Sequence, residues 1–357
     1  MRILHVISGD LWAGAEVATF HLLVALLRRG VDVRCVVLNE GTLAERLQNA
    51  GVAVTLLDES KLGPVEILRG LRASAASAEL VHSHRYKENA LASFCGRPRV
   101  ITQHGRREPF RGKSRLRSGL ADFVGGMAIR RAEAVIAVSE EVEVELASPR
   151  KGKRLEVIWN GLPDPQPEIS AASWGQRPRQ VGVLARLVPV KALELAIQGV
   201  AGCPGLELEI VGDGPERERL QATARASGGA ERIRFVGHDP SPLARVANWR
   251  ALLMTSLHEG NPLSVIEALS LGTPIVHTPL AGVREMSGEA GFEIPNRDPA
   301  DWSARLADFV EDERRGESLS AAARTRFLDV LGDDACAEAT LALYRSVLDG
   351  TTRPASR

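Results

Sequence analysis

Short apolar segments alternate with amphipathic helical patterns along almost the whole chain, and this alternation restricts the possible folds more than any other feature. Continuously apolar, β-branched runs such as 134–138 are typical of strands that a parallel sheet buries on both faces. The helical patterns between them, for example 15–29 and 192–200, supply the crossovers that parallel strands require. The sequence therefore predicts an α/β protein with doubly wound parallel sheets.

The predicted strands form two series, one before a proline-rich segment and one after it. They cover residues 2–8, 32–38, 52–57, 79–83, 98–103, 133–138 and 154–159, and then 180–185, 206–211, 232–236, 250–255, 273–278 and 290–294. Several prolines fall within residues 161–180, and proline disfavours both helices and sheet ladders. We therefore expect a linker in this segment.

A chain of 357 residues is long enough for two domains, and we predict two Rossmann-like domains that face each other, 1–165 and 176–335. Beyond residue 299 the pattern is only helical, and we expect a final helix over 336–357 to pack back on the first domain. Ligands of such domains bind at the carboxyl ends of the strands, where helix N-termini also point. Site residues should therefore lie in the loops that follow the strands.

Composition bears on the kind of protein this chain can be. Its 45 lysines and arginines balance 45 aspartates and glutamates, so no net charge draws it to nucleic acid. Its four scattered cysteines form no disulfide or zinc-binding pattern and fit a reducing compartment. No apolar run resembles a signal peptide or approaches the roughly 20 residues of a membrane span. We expect a cytoplasmic protein whose contact with a membrane, if there is one, is peripheral and at the inner face.

Positive charge is concentrated in residues 97–117, which carry a net charge of +7. Three interpretations stay open: a contact with an anionic membrane or a lipid-pyrophosphate acceptor, a nucleic-acid surface, and a solvated loop. Aromatic residues, on which bases stack, make up only 4% of the chain, so nucleic acid is the least favoured of the three.

The segment 257–268 carries the richest signal for a binding site. It follows a predicted strand, and its Pro262 suits the first turn of a helix. Unpaired backbone N–H groups near 261–264 would then form a cradle for an anion. The carboxylates of Glu259 and Glu267 flank this cradle and can accept hydrogen bonds from vicinal hydroxyls of a ribose or a hexose. Alternatively, Glu259 caps the helix and Glu267 is a solvated helix residue.

Two cationic residues follow the first strand of the second domain. Arg186 ends that strand and Lys191 opens the next helix, so together they could clamp a diphosphate. Alternatively, they are a surface pair of basic residues. The glycine turn 212–214 would allow close approach of the backbone to a ligand, and the turn at Gly237 and His238 could meet a nucleobase or be a simple loop.

In the first domain, Gly14 opens a helix directly after the first strand, where it would let a ligand approach the backbone. His104 follows another strand, and His82 and His84 end a third. A single histidine at a strand end is more often structural, but three in one domain favour a functional cluster. We find no histidine, cysteine or carboxylate set at the spacing of a metal site, and we therefore expect no metal.

In this order, the segments resemble the retaining glycosyltransferases of family 4, which have the GT-B fold. The resemblance covers nearly the whole chain, and the two glutamates separated by seven residues are its most diagnostic feature. The segments that carry it are Ala13-Gly14-Ala15-Glu16, His104-Gly105, Ala137-Val138-Ser139-Glu140, Val157-Ile158-Trp159-Asn160-Gly161, Arg186 with Lys191, Gly212-Asp213-Gly214-Pro215, Phe235-Val236-Gly237, Glu259-Gly260-Asn261-Pro262 with Glu267-Ala268, and Leu271-Gly272-Thr273-Pro274-Ile275-Val276.

The resemblance implies a role for each charged residue. Glu267 would bind the ribose hydroxyls of a nucleotide-sugar donor, and Glu259 the hydroxyls of the transferred sugar. Arg186 and Lys191 would clamp the diphosphate, and His104 would line the donor sugar beside the reacting carbon. The other implied contacts to the donor come from Gly14, Gly237, His238, Asn261, Leu263 and Ser264.

The implied reaction moves a sugar, with retention of configuration, to a glycan or lipid-linked acceptor. The acceptor hydroxyl would attack on the face of the leaving group, so no nucleophilic side chain and no metal are required. A UDP-sugar donor and a role in cell-surface polysaccharide synthesis are the favoured interpretation. The alternatives are a nucleotide-sugar epimerase or a phosphorylase of the same fold, and a non-catalytic partner subunit. The family often has glycine where Ala13 and Ala192 stand here, and Ala13 could hinder close approach at the first-domain turn.

Overall fold

The computed structural model describes residues 1–105, 126–147 and 154–350. The chain divides into two compact units. One consists of Met1–Gly161 with the C-terminal stretch from Asp333, and the other of Leu162–Gly332. Each unit contains one sheet in which every neighbouring pair of strands is parallel. The prediction of two doubly wound parallel-sheet domains is therefore confirmed.

The sheet of the first unit has seven strands in the order β3-β2-β1-β4-β5-β6-β7. The strands are β1 (Arg2–Ile7), β2 (Asp32–Val37), β3 (Ala53–Leu56), β4 (Leu80–His84), β5 (Arg99–Gln103), β6 (Ala134–Ala137) and β7 (Arg154–Val157). The order reverses between β1 and β4, so the loops after these two strands leave the sheet in opposite directions. A crevice between such loops is where doubly wound sheets bind ligands.

The sheet of the second unit has six strands in the order β10-β9-β8-β11-β12-β13. The strands are β8 (Gln180–Leu184), β9 (Glu207–Val211), β10 (Ile233–Gly237), β11 (Leu252–Met254), β12 (Ile275–His277) and β13 (Gly291–Glu293). Here the order reverses between β8 and β11. The loop after β8 carries the predicted cations, the loop after β11 carries Glu259, and the helix after that loop carries Glu267. The sequence thus placed them at the position where the topology favours binding.

The helices connect these strands as crossovers, except for the last three. In chain order they are α1 (Gly14–Arg28), α2 (Thr42–Asn49), α3 (Pro64–Ala75), α4 (Tyr86–Ala92), α5 (Glu140–Ala147), α6 (Glu194–Ala201), α7 (Arg217–Ala226), α8 (Leu243–Val246), α9 (Leu263–Ser270), α10 (Ala281–Ser287), α11 (Pro299–Glu311), α12 (Glu313–Arg326) and α13 (Asp333–Leu348). No helix among the described residues is both long enough and apolar enough to pass through a lipid bilayer.

The C-terminal helix α13 belongs to the core of the first unit. It packs against α1 and buries Ala337, Leu341 and Tyr344 with Leu22 and Leu26 of that helix. This confirms that the final helix returns to the first domain. It has no following strand to connect, so its apolar face can be buried only against an existing layer.

The proline-rich segment that we expected to be a linker is packed into the second unit. Trp174 is buried, contacts Phe309 edge-on, and donates from its indole N–H to the Arg250 carbonyl (2.7 Å). The guanidinium of Arg177 is also buried and donates to the Trp249 carbonyl (2.9 Å) and to further oxygens near residue 272. Prolines prevent regular structure here, but the side chains between them anchor the segment to the domain.

Candidate functional site

The helix that follows β11 has a free N-terminus. Pro262 has extended backbone angles (φ −71°, ψ 115°) and α9 begins at the next residue. The amide of Val265 donates to the Pro262 carbonyl, whereas the amides of Leu263 and Ser264 find no carbonyl partner among the described residues. Asn261 is partly exposed in the same turn. Two backbone amides at the start of the helix are therefore available where the sequence predicts an anion cradle.

Lys191 and Glu259 form an ion pair across the two loops at the switch point of the second sheet. Lys191 Nζ donates to Glu259 Oε1 at 2.7 Å, and the Ser256 hydroxyl donates to the same oxygen. The Thr255 hydroxyl donates to the Lys191 carbonyl (3.1 Å) and so ties the two loops together. The Glu259 side chain is only 8% exposed and that of Lys191 is 22% exposed. The structure thus brings these two predicted residues into direct contact.

Arg186 lies in the same loop as Lys191, but its side chain is exposed and forms no ion pair with another described residue. The loop is held by the glycine turn 212–214. The Leu187 amide donates to the Asp213 carbonyl (2.9 Å), and a Cβ on Gly212 would lie 1.9 Å from the Ala185 carbonyl oxygen. We predicted these glycines to let a ligand approach. The contact they permit in the structure is with the backbone of the Arg186 loop.

Glu267 lies on α9, and its environment differs from that of a solvated helix residue. Burial raises the pKa of its carboxyl from 4.5 to about 7. No described side chain or amide donates a hydrogen bond to this carboxyl, and only the backbone carbonyl of Glu267 has a side-chain partner, Ser270. Glu267 is half-buried. A carboxyl in such a place without a donor is destabilised when it ionises, and hydroxyl groups of a ligand would relieve that cost.

Gly237 and His238 lie at the end of β10, in the second unit. Gly237 has φ +88°, which favours glycine, and its carbonyl accepts from the Gly212 amide at 2.7 Å. His238 is exposed. The backbone of this turn is thus bound to the glycine turn 212–214, and the His238 side chain is exposed to solvent.

In the first unit, Gly14 is the first residue of α1 and is exposed, with no atom within 4 Å of a hypothetical Cβ. Ala13 before it has ordinary extended angles (φ −137°, ψ −176°), so its methyl group causes no backbone strain. Two residues further on, Glu16 is completely buried and forms an ion pair with Arg85 (2.8 Å). Burial raises the pKa of Glu16. Sequence analysis did not identify this pair because Arg85 lies far along the chain.

His104 follows β5 and is part of a histidine cluster. Its Nε2 lies 3.0 Å from Nδ1 of His84, and burial lowers its pKa to about 3. The ring is therefore neutral at physiological pH and can accept or donate a hydrogen bond but cannot act as an acid. His82 and His84, which the sequence placed at a strand end, are both buried in the same cluster.

The sequence did not reveal two members of this cluster, His5 and Tyr344. His5 lies in the middle of the apolar strand β1, and Tyr344 comes from α13. The ring nitrogens of His5, His82 and His84 lie within 4.8 Å of one another, which makes them a candidate metal site that sequence spacing could not show. The ring of His84 stacks on those of His82 and His5, with centroids 4.4 and 5.3 Å apart, and the ring nitrogens contact protein partners. This arrangement favours shared protons over an ion, which requires the rings to point to one centre.

The basic segment 97–117 is described only as far as residue 105, and 106–117 lie outside the described residues. Arg97 donates to the Ala75 carbonyl (3.2 Å), and Arg99 is buried and donates to the Ser93 hydroxyl (2.9 Å). These two cations therefore stabilise the fold.

Comparison with known proteins gives a consistent pattern. Residues 166–326 match the family Glycosyl transferases group 1, and residues 12–164 match Glycosyltransferase Family 4. The 2-deoxystreptamine N-acetyl-D-glucosaminyltransferase of Streptomyces fradiae is 29% identical over 281 residues, which are 71% of this chain and 66% of that protein. Glycogen synthase of Mycobacterium tuberculosis is 28% identical over 305 residues, 78% of this chain and 71% of that protein.

Solved structures agree with this at the level of the fold. HepE of Anabaena in complex with UDP superimposes with a TM-score of 0.85 at 18% identity, over 97% of this chain and 100% of that one. HepE in complex with UDP-glucose gives a TM-score of 0.80 at 20% identity, with the same shares covered. At such identities the likeness establishes the GT-B architecture and not the ligand.

Proposed function

The chain belongs to glycosyltransferase family 4, and we propose that it transfers a sugar from a nucleotide-sugar, with UDP-sugars favoured, to a glycan or lipid-linked acceptor. The observation that carries this proposal is the group of residues at the switch point of the second sheet. There the Lys191–Glu259 ion pair, the exposed Arg186 and the free amides at the start of α9 lie in loops that leave adjacent strands. The UDP and UDP-glucose complexes of HepE support a uridine donor.

The diphosphate of the donor would bind to the cations and to the helix N-terminus. The amides of Leu263 and Ser264 donate to phosphate oxygens, and the fork of Arg186 binds them in bidentate fashion. The same phosphates attract Lys191 away from its carboxylate partner. Glu259 is then free to accept hydrogen bonds from hydroxyls of the transferred sugar, so donor binding exchanges an internal ion pair for two ligand contacts.

Glu267 would hold the ribose. Two vicinal hydroxyls match the two oxygens of a carboxylate, and the ionised form accepts from both. Burial raises its pKa to about 7, which agrees with an unfavourable ionisation when such donors are absent. Ribose binding should therefore be accompanied by loss of the proton from Glu267 when the pH is below 7.

For the chemical step we propose retention of configuration. The acceptor oxygen forms a bond to the anomeric carbon on the face from which the diphosphate leaves, while the bond from that carbon to the phosphate oxygen breaks. The acceptor proton passes to a diphosphate oxygen, and the products are a glycoside and a nucleoside diphosphate. Arg186, Lys191 and the α9 amides stabilise the charge that develops on the leaving group, in the role that a metal has in other enzymes.

We propose that the acceptor belongs to cell-surface polysaccharide synthesis and that the enzyme acts at the cytoplasmic face of the membrane. The support is the positive charge of the sequence over 97–117, which is +7. The test is pelleting of the protein with vesicles of neutral lipid, or of neutral lipid with about 30% anionic lipid, each at low and at high salt. Binding that is indifferent to both anionic lipid and salt would exclude the membrane contact.

The donor reaction is tested by release of nucleoside diphosphate from a panel of nucleotide-sugars, with crude lipid and glycan extracts as acceptors. We expect acceptor-dependent release that Glu259→Ala and Arg186→Ala each reduce by about 100-fold or more. Arg219→Ala is the matched control, because Arg219 is also half-exposed in this unit but pairs with Glu194 and Glu216. Release that survives both site substitutions would reject this site. Isomerised nucleotide-sugar without transfer would indicate an epimerase.

A further inference from the structure

Four histidines and one tyrosine form a continuous chain of polar contacts in the first unit. His5 comes from β1, His82 and His84 from β4, and His104 from the loop after β5, so the rings lie beside the switch point of that sheet. The first three are completely buried. Burial lowers the pKa of His5 and of His104 to about 3, and those of His82 and His84 well below 6.5. All four rings are neutral, so each has one N–H and one lone pair.

The contacts run in one line from the C-terminal helix to His104. Tyr344 Oη lies 3.3 Å from His5 Nε2, His5 Nδ1 lies 3.0 Å from His84 Nε2, and His84 Nδ1 lies 3.0 Å from His104 Nε2. A branch joins Tyr344 Oη to His82 Nδ1 (2.5 Å) and His82 Nε2 to the Thr102 hydroxyl (2.7 Å). Every ring nitrogen in the cluster is used in this way except His104 Nδ1, which is buried without a partner among the described residues.

With one proton on each ring and one on the phenol, the hydrogen bonds of the cluster can run in two directions. If Tyr344 donates to His82, its oxygen accepts from His5, and every histidine carries its proton on Nε2. If Tyr344 donates to His5 instead, every histidine carries its proton on Nδ1. In the first arrangement His104 Nδ1 is a bare acceptor, and in the second it is a donor.

The distances favour the first arrangement, because an O–H donor forms shorter hydrogen bonds than an N–H donor. The single phenol proton belongs to the shorter contact, which is 2.5 Å to His82 against 3.3 Å to His5. The Thr19 hydroxyl, 3.4 Å from His84 Nδ1, can add a donor to a nitrogen that this arrangement leaves as an acceptor. We propose that Tyr344 fixes the tautomer of His104 through His5 and His84, so that His104 Nδ1 is a hydrogen-bond acceptor for a hydroxyl of the ligand. Tyr344, His5 and His84 are then positioning residues.

A cavity beside the cluster fits this interpretation. It has a volume of about 20 Å³ and is lined by Thr19, His84, Thr102, His104 and Asn160 among others. This volume holds one water molecule, which can donate to polar groups around it when no ligand is bound. The consequence for catalysis depends on the proposed glycosyl transfer, whereas the tautomer itself can be measured without any substrate.

The test is the tautomeric state of each ring in the full-length protein with ¹⁵N-labelled histidine, from long-range ¹H–¹⁵N correlations, which separate protonated from bare ring nitrogens. We expect His5, His82, His84 and His104 all to carry the proton on Nε2. In Tyr344→Phe the series of hydrogen bonds loses the hydroxyl at its end, and we expect His104 to populate both tautomers. Glu338→Gln, an exposed change on the same helix, should leave all four rings unchanged.

Three outcomes would overturn the proposal: protons on Nδ1 of all four rings, mixed tautomers in the unaltered protein, or a His104 tautomer that Tyr344→Phe does not change. If Tyr344→Phe does not fold, His5→Gln interrupts the same series of hydrogen bonds at its contact with His84.

In the transfer assay we expect Tyr344→Phe to lower kcat/KM by about tenfold, as for one lost hydrogen bond. It should have no further effect in a His104→Ala background, because Tyr344 acts through His104. An equal loss in both backgrounds would also reject the proposal, and an inactive protein with the expected tautomers would reject the proposed function alone.

Discussion

The two sheets place their polar residues at equivalent positions but in opposite electrical states. Beside the switch point of the first sheet lie four neutral imidazoles that are joined by hydrogen bonds, and three of them are completely buried. Beside the switch point of the second lie the exposed guanidinium of Arg186 and the partly exposed ion pair of Lys191 and Glu259. The same topology thus provides one edge whose cations lie near water and one whose imidazoles are neutral, with the Glu16–Arg85 ion pair after the same two strands. Burial, rather than residue type, decides whether a polar group acts through its charge or through its proton position.

The largest effect should come from Lys191→Ala, which removes one of the cations beside the switch point of the second sheet. The variant leaves Glu259 without its cation and the diphosphate without one of its partners. We expect kcat to fall by about 100- to 1,000-fold in the nucleotide-release assay. Lys191→Arg keeps the charge but changes its geometry and should recover part of the rate. If Lys191→Ala retained more than a third of the rate, Lys191 would not bind the leaving group.

A second effect concerns the one buried acid of α9. Glu267 has a pKa of about 7 in the folded chain and 4.5 as its ordinary value. Below pH 4.5 it is protonated in both states, so it does not change stability. Between pH 4.5 and 7 unfolding releases its proton, so stability falls as pH rises, and the loss is complete above pH 7, at about 3 kcal/mol at most.

This dependence can be measured with Glu267→Gln by urea unfolding. The variant should match the unaltered protein near pH 4 and exceed it in free energy of unfolding at pH 8. Glu218→Gln, at an exposed position of the same unit, should show no such difference. A variant that is less stable than the unaltered protein at pH 8 would contradict the burial of an unpartnered carboxyl.

A smaller effect is the different response of the two regions to ionic strength. Raising the salt from 50 to 500 mM should weaken UDP binding severalfold, because exposed cations bind the diphosphate and salt screens them. The ring-nitrogen shifts of His5, His82 and His84 should stay constant over the same range, since neutral buried groups are not screened. Isothermal titration and the histidine spectra measure the two responses. UDP binding that does not depend on salt would indicate that Arg186 and Lys191 do not bind the diphosphate.

The sequence was sufficient for the fold because apolar periodicity is a local property. All thirteen predicted strands are present, the loops after β8 and β11 carry the expected cations and Glu259, and Glu267 lies on α9. It was insufficient wherever a contact joins distant positions. Tyr344 and His82 are 262 residues apart, and His5 lies within an apolar strand where a histidine gives no signal. Arg177 was missed because the prolines around it indicated a linker, and local composition does not report burial.

The central claim is that the second unit binds the diphosphate of a nucleotide-sugar with its own side chains and amides. The most direct measurement is a crystal structure of the protein with UDP. We expect the diphosphate within hydrogen-bond distance of the Leu263 and Ser264 amides and of Arg186 or Lys191, with the ribose on Glu267. A diphosphate bound elsewhere, with the Lys191–Glu259 pair and the start of α9 untouched, would contradict the account.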